Sequence, residues 1–439
     1  MSQAALLGGT PVRATPFADR RTMGDAERAA VLEVLDSDLL SGFVGAPGPL
    51  ALGGPRVRQL ERDWGERYGF PQVVSVNSLT SGLICAMGAL GIEAGDEVIC
   101  SPYTMSASAS CALFYGGVPI FADIDPDSFC LDPRSVAARI SPRTKAIIVV
   151  HLFGRPADMD ALLALARSRG IALVEDAAQA PGARIDGQPV GALGDIGGFS
   201  LNCHKHIHCG EGGLMVSRDP RLAERMRLIR NHGENLTDSL LVQELPNLVG
   251  QNYRLSELHA AVAGAQLPRL DAYLAHRNRL AAYLAPQIRQ LPGLRVPEVP
   301  ANLYHAYYVF PMLFDAQTAG LSRDLFTQAV LAELPAARGI GQTPLTQGYV
   351  RPLYLAPLYQ QRIALGSKGW PFTHRPDADY QYPPGLCPVT ERLHQRELLL
   401  TPLVREPLST DDLDDLLRAM AKVLEQAPQL RQAFPDTGH

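Results

Sequence analysis

Three stretches of the chain put reactive side-chain types where an enzyme could use them. GGFSLNCHKHIHCGEGGLMVS, from Gly197 to Ser217, reads as strand, turn, glycine cluster and strand, with Lys205 on the turn. VEDAAQA, from Val174 to Ala180, places Asp176 just past an apolar run and Gln179 three residues on. VNSLTSGLICAMGALG, from Val76 to Gly91, opens an apolar helix on Ser78, Leu79, Thr80 and Ser81. A lysine amine condenses with an aldehyde, gives up that imine to a substrate amine, and then moves a proton between carbons. An aspartate beside a pyridine nitrogen keeps it protonated, so the ring withdraws electrons. Hydroxyls and backbone N–H groups at a helix N-terminus hold a phosphate, because the helix dipole favours an anion there. Ser200, on the strand before the lysine, adds a further hydroxyl. Together these groups describe a site for pyridoxal 5'-phosphate (PLP), with pyridoxamine phosphate as its intermediate form.

Each piece has an ordinary reading as well. Most lysines are solvated, an aspartate ending a strand is often a helix cap, and a Ser/Thr cluster at a helix start is common capping. Lys205 is singled out by the strand end before it and by Gly210, Gly212 and Gly213 after it. Lys145 lies on a strand approach and Lys422 on a helix face, which leaves Lys368, in GSKGWP, as the rival. The HKHIH run carries a competing chemistry, a metal-dependent enzyme. On a strand His204, His206 and His208 would share one face, with Cys203 and Cys209 beside them. Gly210 directly after the run and the lack of an acidic ligand at matching spacing argue for no metal. GALGDIGG lacks the spacing of a dinucleotide loop.

The elements that must position these groups follow from the pattern of the chain. With 439 residues, two domains are expected, a large one over 1–265 and a small one over 266–439. From Val73 onward, near-continuous apolar strands (VVSV, DEVICS, VPIFADI, KAIIVVHL, IALVED) alternate with helices. That alternation predicts a buried, mostly parallel sheet covered on both faces, with ligands at the carboxyl ends of its strands. Pro268 should split the helical stretch that follows QNYRLSELHA, and Ser409 with Asp412 forms a capping box for a final helix. The stretch from Gly348 to Pro388, rich in aromatics, Gly and Pro, is expected as a substrate-side flap around Tyr349, Tyr354 and Trp370. A net charge of -5 offers no basic surface for nucleic acid, and no apolar run approaches a membrane span. Seven cysteines without a CxxC pair, behind an N-terminal stretch unlike a signal peptide, lead to a cytoplasmic expectation.

VEDAAQAPGA, FSLNCHKHIHCGEGG, RNHG and QNYRLSELHAAVAGAQL, taken in order, strongly resemble the DegT/DnrJ/EryC1/StrS family of PLP-dependent sugar aminotransferases. The resemblance runs from SDLLSGF to ELLLTPLVREPLSTDDL, nearly the whole chain. It implies the type I PLP-dependent aminotransferase fold: a large α/β domain with a mostly parallel seven-stranded sheet, and a smaller α+β C-terminal domain. A homodimer with its active site at the interface is also implied. Matched motif to motif, Lys205 takes the Schiff-base role and Asp176 the pyridine-nitrogen role. Gln179 falls at a cofactor-contacting glutamine, Ser200 at a phosphate-binding serine, and Asn252 at an asparagine that reaches the other subunit's phosphate. Thr80 matches the threonine of the family's SGT phosphate turn, which here reads Ser78-Leu79-Thr80. In PYTMSAS, Met105 stands where an aromatic stacks on the ring, and its thioether is expected to cover the ring face. Sugar dehydratases of the same family carry histidine at the lysine position, so Lys205 favours amino transfer. The implied substrates are an amino-acid donor, glutamate or glutamine, and a keto-sugar acceptor, in some cases nucleotide-linked, or a keto-cyclitol, in natural-product or surface-glycan biosynthesis. Dehydration or aromatization of a sugar-like or cyclohexenone substrate is the alternative.

Overall fold

The expected alternation is what a computed structural model builds, over residues 3–236, 244–335 and 343–435. Helices α1 (Asp25–Asp36) and α2 (Pro55–Tyr68) precede the first strand, β1 (Gln72–Val76). Proline opens α2, and Gly69 closes it in the left-handed conformation, the usual asymmetry of helix ends. Then come α3 (Leu79–Ala89), β2 (Glu97–Cys100), α4 (Ala107–Leu113), β3 (Val118–Phe121), β4 (Thr144–Val150) and β5 (Ala172–Asp176). A small hairpin, β6 (Arg184–Ile185) and β7 (Gln188–Pro189), leads to β8 (Ile196–Ser200) and β9 (Gly213–Ser217).

Seven of these strands form one sheet in the order β1-β9-β8-β5-β4-β2-β3. The run β8-β5-β4-β2-β3 is parallel, and β9 is antiparallel to both β1 and β8. Ile147, Ile148, Val149, Leu173 and Val174 are buried whichever way they point. A parallel sheet sandwiched between helices requires such apolar runs. Asp176 pairs in register with Gly198, so β5 and β8 end side by side.

The second core is built on a four-stranded sheet from Leu294–Arg295, Phe310–Phe314, Thr346–Gln347 and Leu398–Thr401, antiparallel throughout. Packing does not follow chain order here, because Ala4 and Phe17 join this core. Pro268 sits in a short 3-10 turn, Leu267–Arg269, that divides helix Glu257–Gln266 from helix Leu270–Ile288. The Ser409–Asp412 capping box opens helix Thr410–Glu425, and a further short helix, Ala427–Ala433, follows it.

The aromatic-rich stretch overturns its expectation. Tyr354, Tyr359, Phe372, Tyr380 and Tyr382 are buried in the same core as the large sheet rather than forming a flap. Phe121, on edge strand β3, meets Tyr359 edge-on at 5.0 Å and Tyr382 at 5.7 Å. The Tyr382 hydroxyl donates to the Pro119 carbonyl on that strand (2.7 Å). An edge strand needs a cover, and this segment supplies it. Trp370 packs on Gly116, where a Cβ would lie 2.7 Å from the indole ring. Tyr349 alone of the three named aromatics faces the strand ends.

Candidate active site

Asp176 closes β5, and its carboxylate is buried. One oxygen accepts from the Ala178 N–H (3.1 Å) and the other from the Ser108 hydroxyl (2.7 Å). Lys205 follows the neighbouring strand β8 in a turn tied by its own N–H to the Asn202 carbonyl (2.9 Å). The Lys205 side chain is buried, and Nζ lies 4.6 Å from the centre of the Tyr308 ring. Burial pulls the Lys205 amine down to about 8, against the charge of Asp176, which pulls the other way. A nucleophilic amine must be neutral, and this environment makes that form accessible near neutral pH. The remaining lysines differ: Lys145 and Lys368 are exposed, and Lys422 is paired with Glu333 at 2.9 Å.

The shift of Lys205 has a consequence for stability. An unfolded lysine titrates at 10.5 and the folded one at about 8. Between these values the unfolded chain holds a proton that the folded chain has released. The stability of the cofactor-free protein therefore rises with pH through that window. Urea unfolding across it should show this increment in the wild type and not in Lys205→Met. Equal pH slopes for the two proteins would contradict the assignment.

Gln179 is buried beside the same strand ends, where its amide oxygen accepts from the Phe153 N–H (2.7 Å). Its amide nitrogen donates to the Tyr349 hydroxyl (2.9 Å). Burial raises the Tyr349 phenol, as do Tyr308 and Asp176, which places all three aromatic and acidic groups in one electrostatic neighbourhood with Lys205.

Ser78 caps α3, accepting from the Ser81 N–H (3.1 Å) and sharing a 2.9 Å contact with the Ser81 hydroxyl. Ser81 in turn donates to Asn77 (2.7 Å). The start of α3 can lie against β9 because Gly213 has no side chain: a Cβ there would stand 2.7 Å from the Leu79 nitrogen. Leu79 points inward onto Gly198, where a Cβ would be 2.4 Å from it. The leucine within Ser78-Leu79-Thr80 is therefore a core residue. Ser200 ends β8, and its hydroxyl accepts from the Asn202 N–H at 3.3 Å.

The fold thus brings Asp176, Gln179, Ser200 and Lys205 to adjacent strand ends, with Ser78 at the neighbouring helix start. Thr80, Met105 and Asn252 lie on the surface of the chain; Met105 is 54% exposed, and Asn252 is bridged through its backbone to Asn231. The histidine run does not sit on a strand, so its alternation does not hold. His206 is buried against the Ala306 carbonyl (2.9 Å), His208 bonds the Thr22 hydroxyl (2.7 Å), and His204 faces solvent. Among the described residues no group of three or more His, Cys, Asp or Glu could hold a metal ion.

Arg20, Tyr308 and Ser108 escaped the reading of the sequence. Arg20 donates to the Lys205 carbonyl (2.7 Å) and to the His206 carbonyl, clamping the lysine turn from a segment 185 residues away. No local signal marks an arginine for that task. Tyr308 was legible only as part of the strand-like run AYYVFPMLF. PLP fits this donor set: a buried amine of lowered basicity, a carboxylate held by two donors, and a hydroxyl-lined helix start packed on β8 and β9.

Comparison with known proteins gives the same direction. Residues 46–421 match the model of the DegT/DnrJ/EryC1/StrS aminotransferase family. The L-glutamine:2-deoxy-scyllo-inosose aminotransferase of Streptomyces kanamyceticus is 35% identical over 437 residues, covering 97% of each chain. A UDP-N-acetyl-3-dehydro-alpha-D-glucosamine 3-aminotransferase of Acidithiobacillus ferrooxidans is 36% identical over 79% of this chain and 83% of its own. Among solved structures, DesI with its TDP-sugar product superposes with a TM-score of 0.79 at 28% identity, covering 99% of both chains. The expected mostly parallel seven-stranded architecture is the one these aminotransferases share.

Proposed function

This chain belongs to the DegT/DnrJ/EryC1/StrS aminotransferase family, and from that premise we propose that it is a PLP-dependent enzyme that moves an amino group from glutamine or glutamate to the ketone of a cyclitol or sugar. The observation that carries this is the buried Lys205 amine, lowered to about 8 by burial, beside the strand that ends in Asp176. Relatives matched over nearly their full length act on a keto-cyclitol with glutamine as donor, and another acts on a UDP-linked sugar, which supports this pair of acceptor classes.

When bound, PLP supplies an aldehyde to take up the amine and a ring to draw electrons from the substrate carbon. Lys205, with its buried amine of lowered basicity, would be the residue that holds the group through its aldehyde and whose Nζ would hold and move the proton. Asp176 would accept the ring N–H. Ser78, Thr80, Ser200 and the first N–H groups of α3 would hold the phosphate. Gln179, braced by Phe153 and Tyr349, would lie against the ring. Met105 is assigned to the ring's open face. Asn252, exposed on its own chain, is assigned to the phosphate held by a second copy. Leu32, Leu35, Leu39 and Leu40, all exposed on and after α1, support a homodimer. All seven cysteines are free thiols, which supports a reducing, cytoplasmic setting; no helix among the described residues is long and apolar enough to cross a membrane.

Purified protein loaded with PLP and given glutamine or glutamate should aminate members of a panel of keto-cyclitols and nucleotide-linked keto-sugars, read by product mass. Elimination of water from those substrates without nitrogen gain would favour dehydration instead. No amino product across the panel, with either donor, would contradict the proposal.

A further inference from the structure

Asp176 can partner a ring nitrogen only if its carboxylate keeps one orientation, and that orientation is set by its hydrogen bonds. The Ala178 N–H is part of the chain just beyond Asp176 and moves with it. The Ser108 hydroxyl, 68 residues earlier on α4, is the bond that ties the carboxylate to a different element, at 2.7 Å. Ser108 is fully buried and Thr104 nearly so, so neither hydroxyl turns to water. A carboxylate accepts and does not donate, so the Ser108 proton is committed to Asp176. The Ser108 oxygen then faces the Thr104 hydroxyl at 3.3 Å, and Thr104 is the donor in that contact. The result is a directed chain, Thr104 to Ser108 to Asp176, in a dry environment where such chains are strong.

We propose that Ser108, backed by Thr104, is a positioning residue for Asp176: it fixes the carboxylate plane so that one oxygen edge faces the ring nitrogen. This rests on the PLP reading above. The Ser108 hydroxyl is fully buried between Asp176 and Thr104, so its effect would pass through Asp176.

The test uses holoenzyme reconstituted with PLP carrying 15N at the ring nitrogen, in the wild type, Ser108→Ala and Ser108→Cys. In Ser108→Ala the 15N resonance should move toward that of an unprotonated pyridine, and kcat should fall about tenfold to a hundredfold, the range for losing a hydrogen bond to a charged group. KM for the keto substrate should change little. Ser108→Cys, with a weaker donor of similar size, should lie between the two in both readouts. The visible absorption of the Lys205-linked cofactor should persist in all three proteins, because the Ser108 hydroxyl bonds Asp176 and Thr104. A ring-nitrogen resonance unchanged in Ser108→Ala overturns the proposal, including the case where kcat and thermal stability fall together, which marks a packing role only. A wild type that binds no PLP through Lys205 overturns the PLP reading itself, and is distinguished by the missing visible band before any variant is compared.

Discussion

Lys205→Ala is expected to lower kcat for amino transfer by about 10³-fold or more, since it removes both the nucleophile and a general acid–base group whose share alone reaches about 10²–10⁴. The fold should survive the change. The turn is held by its backbone, through the Lys205 N–H to Asn202, the Leu201 N–H to Gly212 and the Arg20 clamp on the 205 and 206 carbonyls. Removing an amine buried against the Tyr308 ring also relieves a charge that the site holds with difficulty, so the cofactor-free variant should be at least as stable as the wild type below pH 8. Lys205→Arg should be as inactive as the alanine variant, because a guanidinium stays protonated. Steady-state rates with far-UV circular dichroism as the control check both variants. Turnover within a few-fold of wild type in either would contradict the role given to this residue.

Asp176→Asn is expected to cost about 10²–10³-fold in kcat, the scale of removing one preorganised electrostatic partner. Asparagine can still accept from Ser108 through its amide oxygen, so the site should stay packed. Its NH₂ group, however, would face either the Ala178 N–H or the ring nitrogen, donor against donor. Both half-reactions should slow together, because both pass through the same ring, and KM for the keto substrate should move little. A second effect follows from the charge. Asp176 pulls the Lys205 amine upward against burial, so its neutralisation should lower the apparent pKa of Lys205 in the pH profile. Stopped-flow rates of each half-reaction across pH check both effects. Loss of one half-reaction only, or an upward shift of the profile, would contradict the assignment.

Much of this molecule could be read from local pattern. The period of the apolar strands, the split at Pro268 and the Ser409–Asp412 cap are all local properties of the chain, and all stand in the structure. The placement of Asp176 at a strand end and of Lys205 just beyond the neighbouring one was legible because parallel topology delivers strand ends to one edge. What was not legible depends on contacts between distant segments. Ser108 reaches Asp176 over 68 residues and Arg20 reaches Lys205 over 185; neither residue has a neighbour in sequence that marks it. The aromatic segment misled because tyrosines suit a flap and a core equally, and the edge strand that needed covering lies more than two hundred residues before it. The histidine alternation would have required a strand, and the backbone turns there, as the strand–turn–strand pattern of the segment had indicated.

The most direct measurement of the central claim is peptide mapping after borohydride treatment of the PLP-loaded protein. Mass spectrometry should find the mass of reduced cofactor on the peptide carrying Lys205, and on no peptide carrying Lys145, Lys368 or Lys422. Cofactor fixed at Lys368, or recovered free with no lysine labelled, would contradict the account.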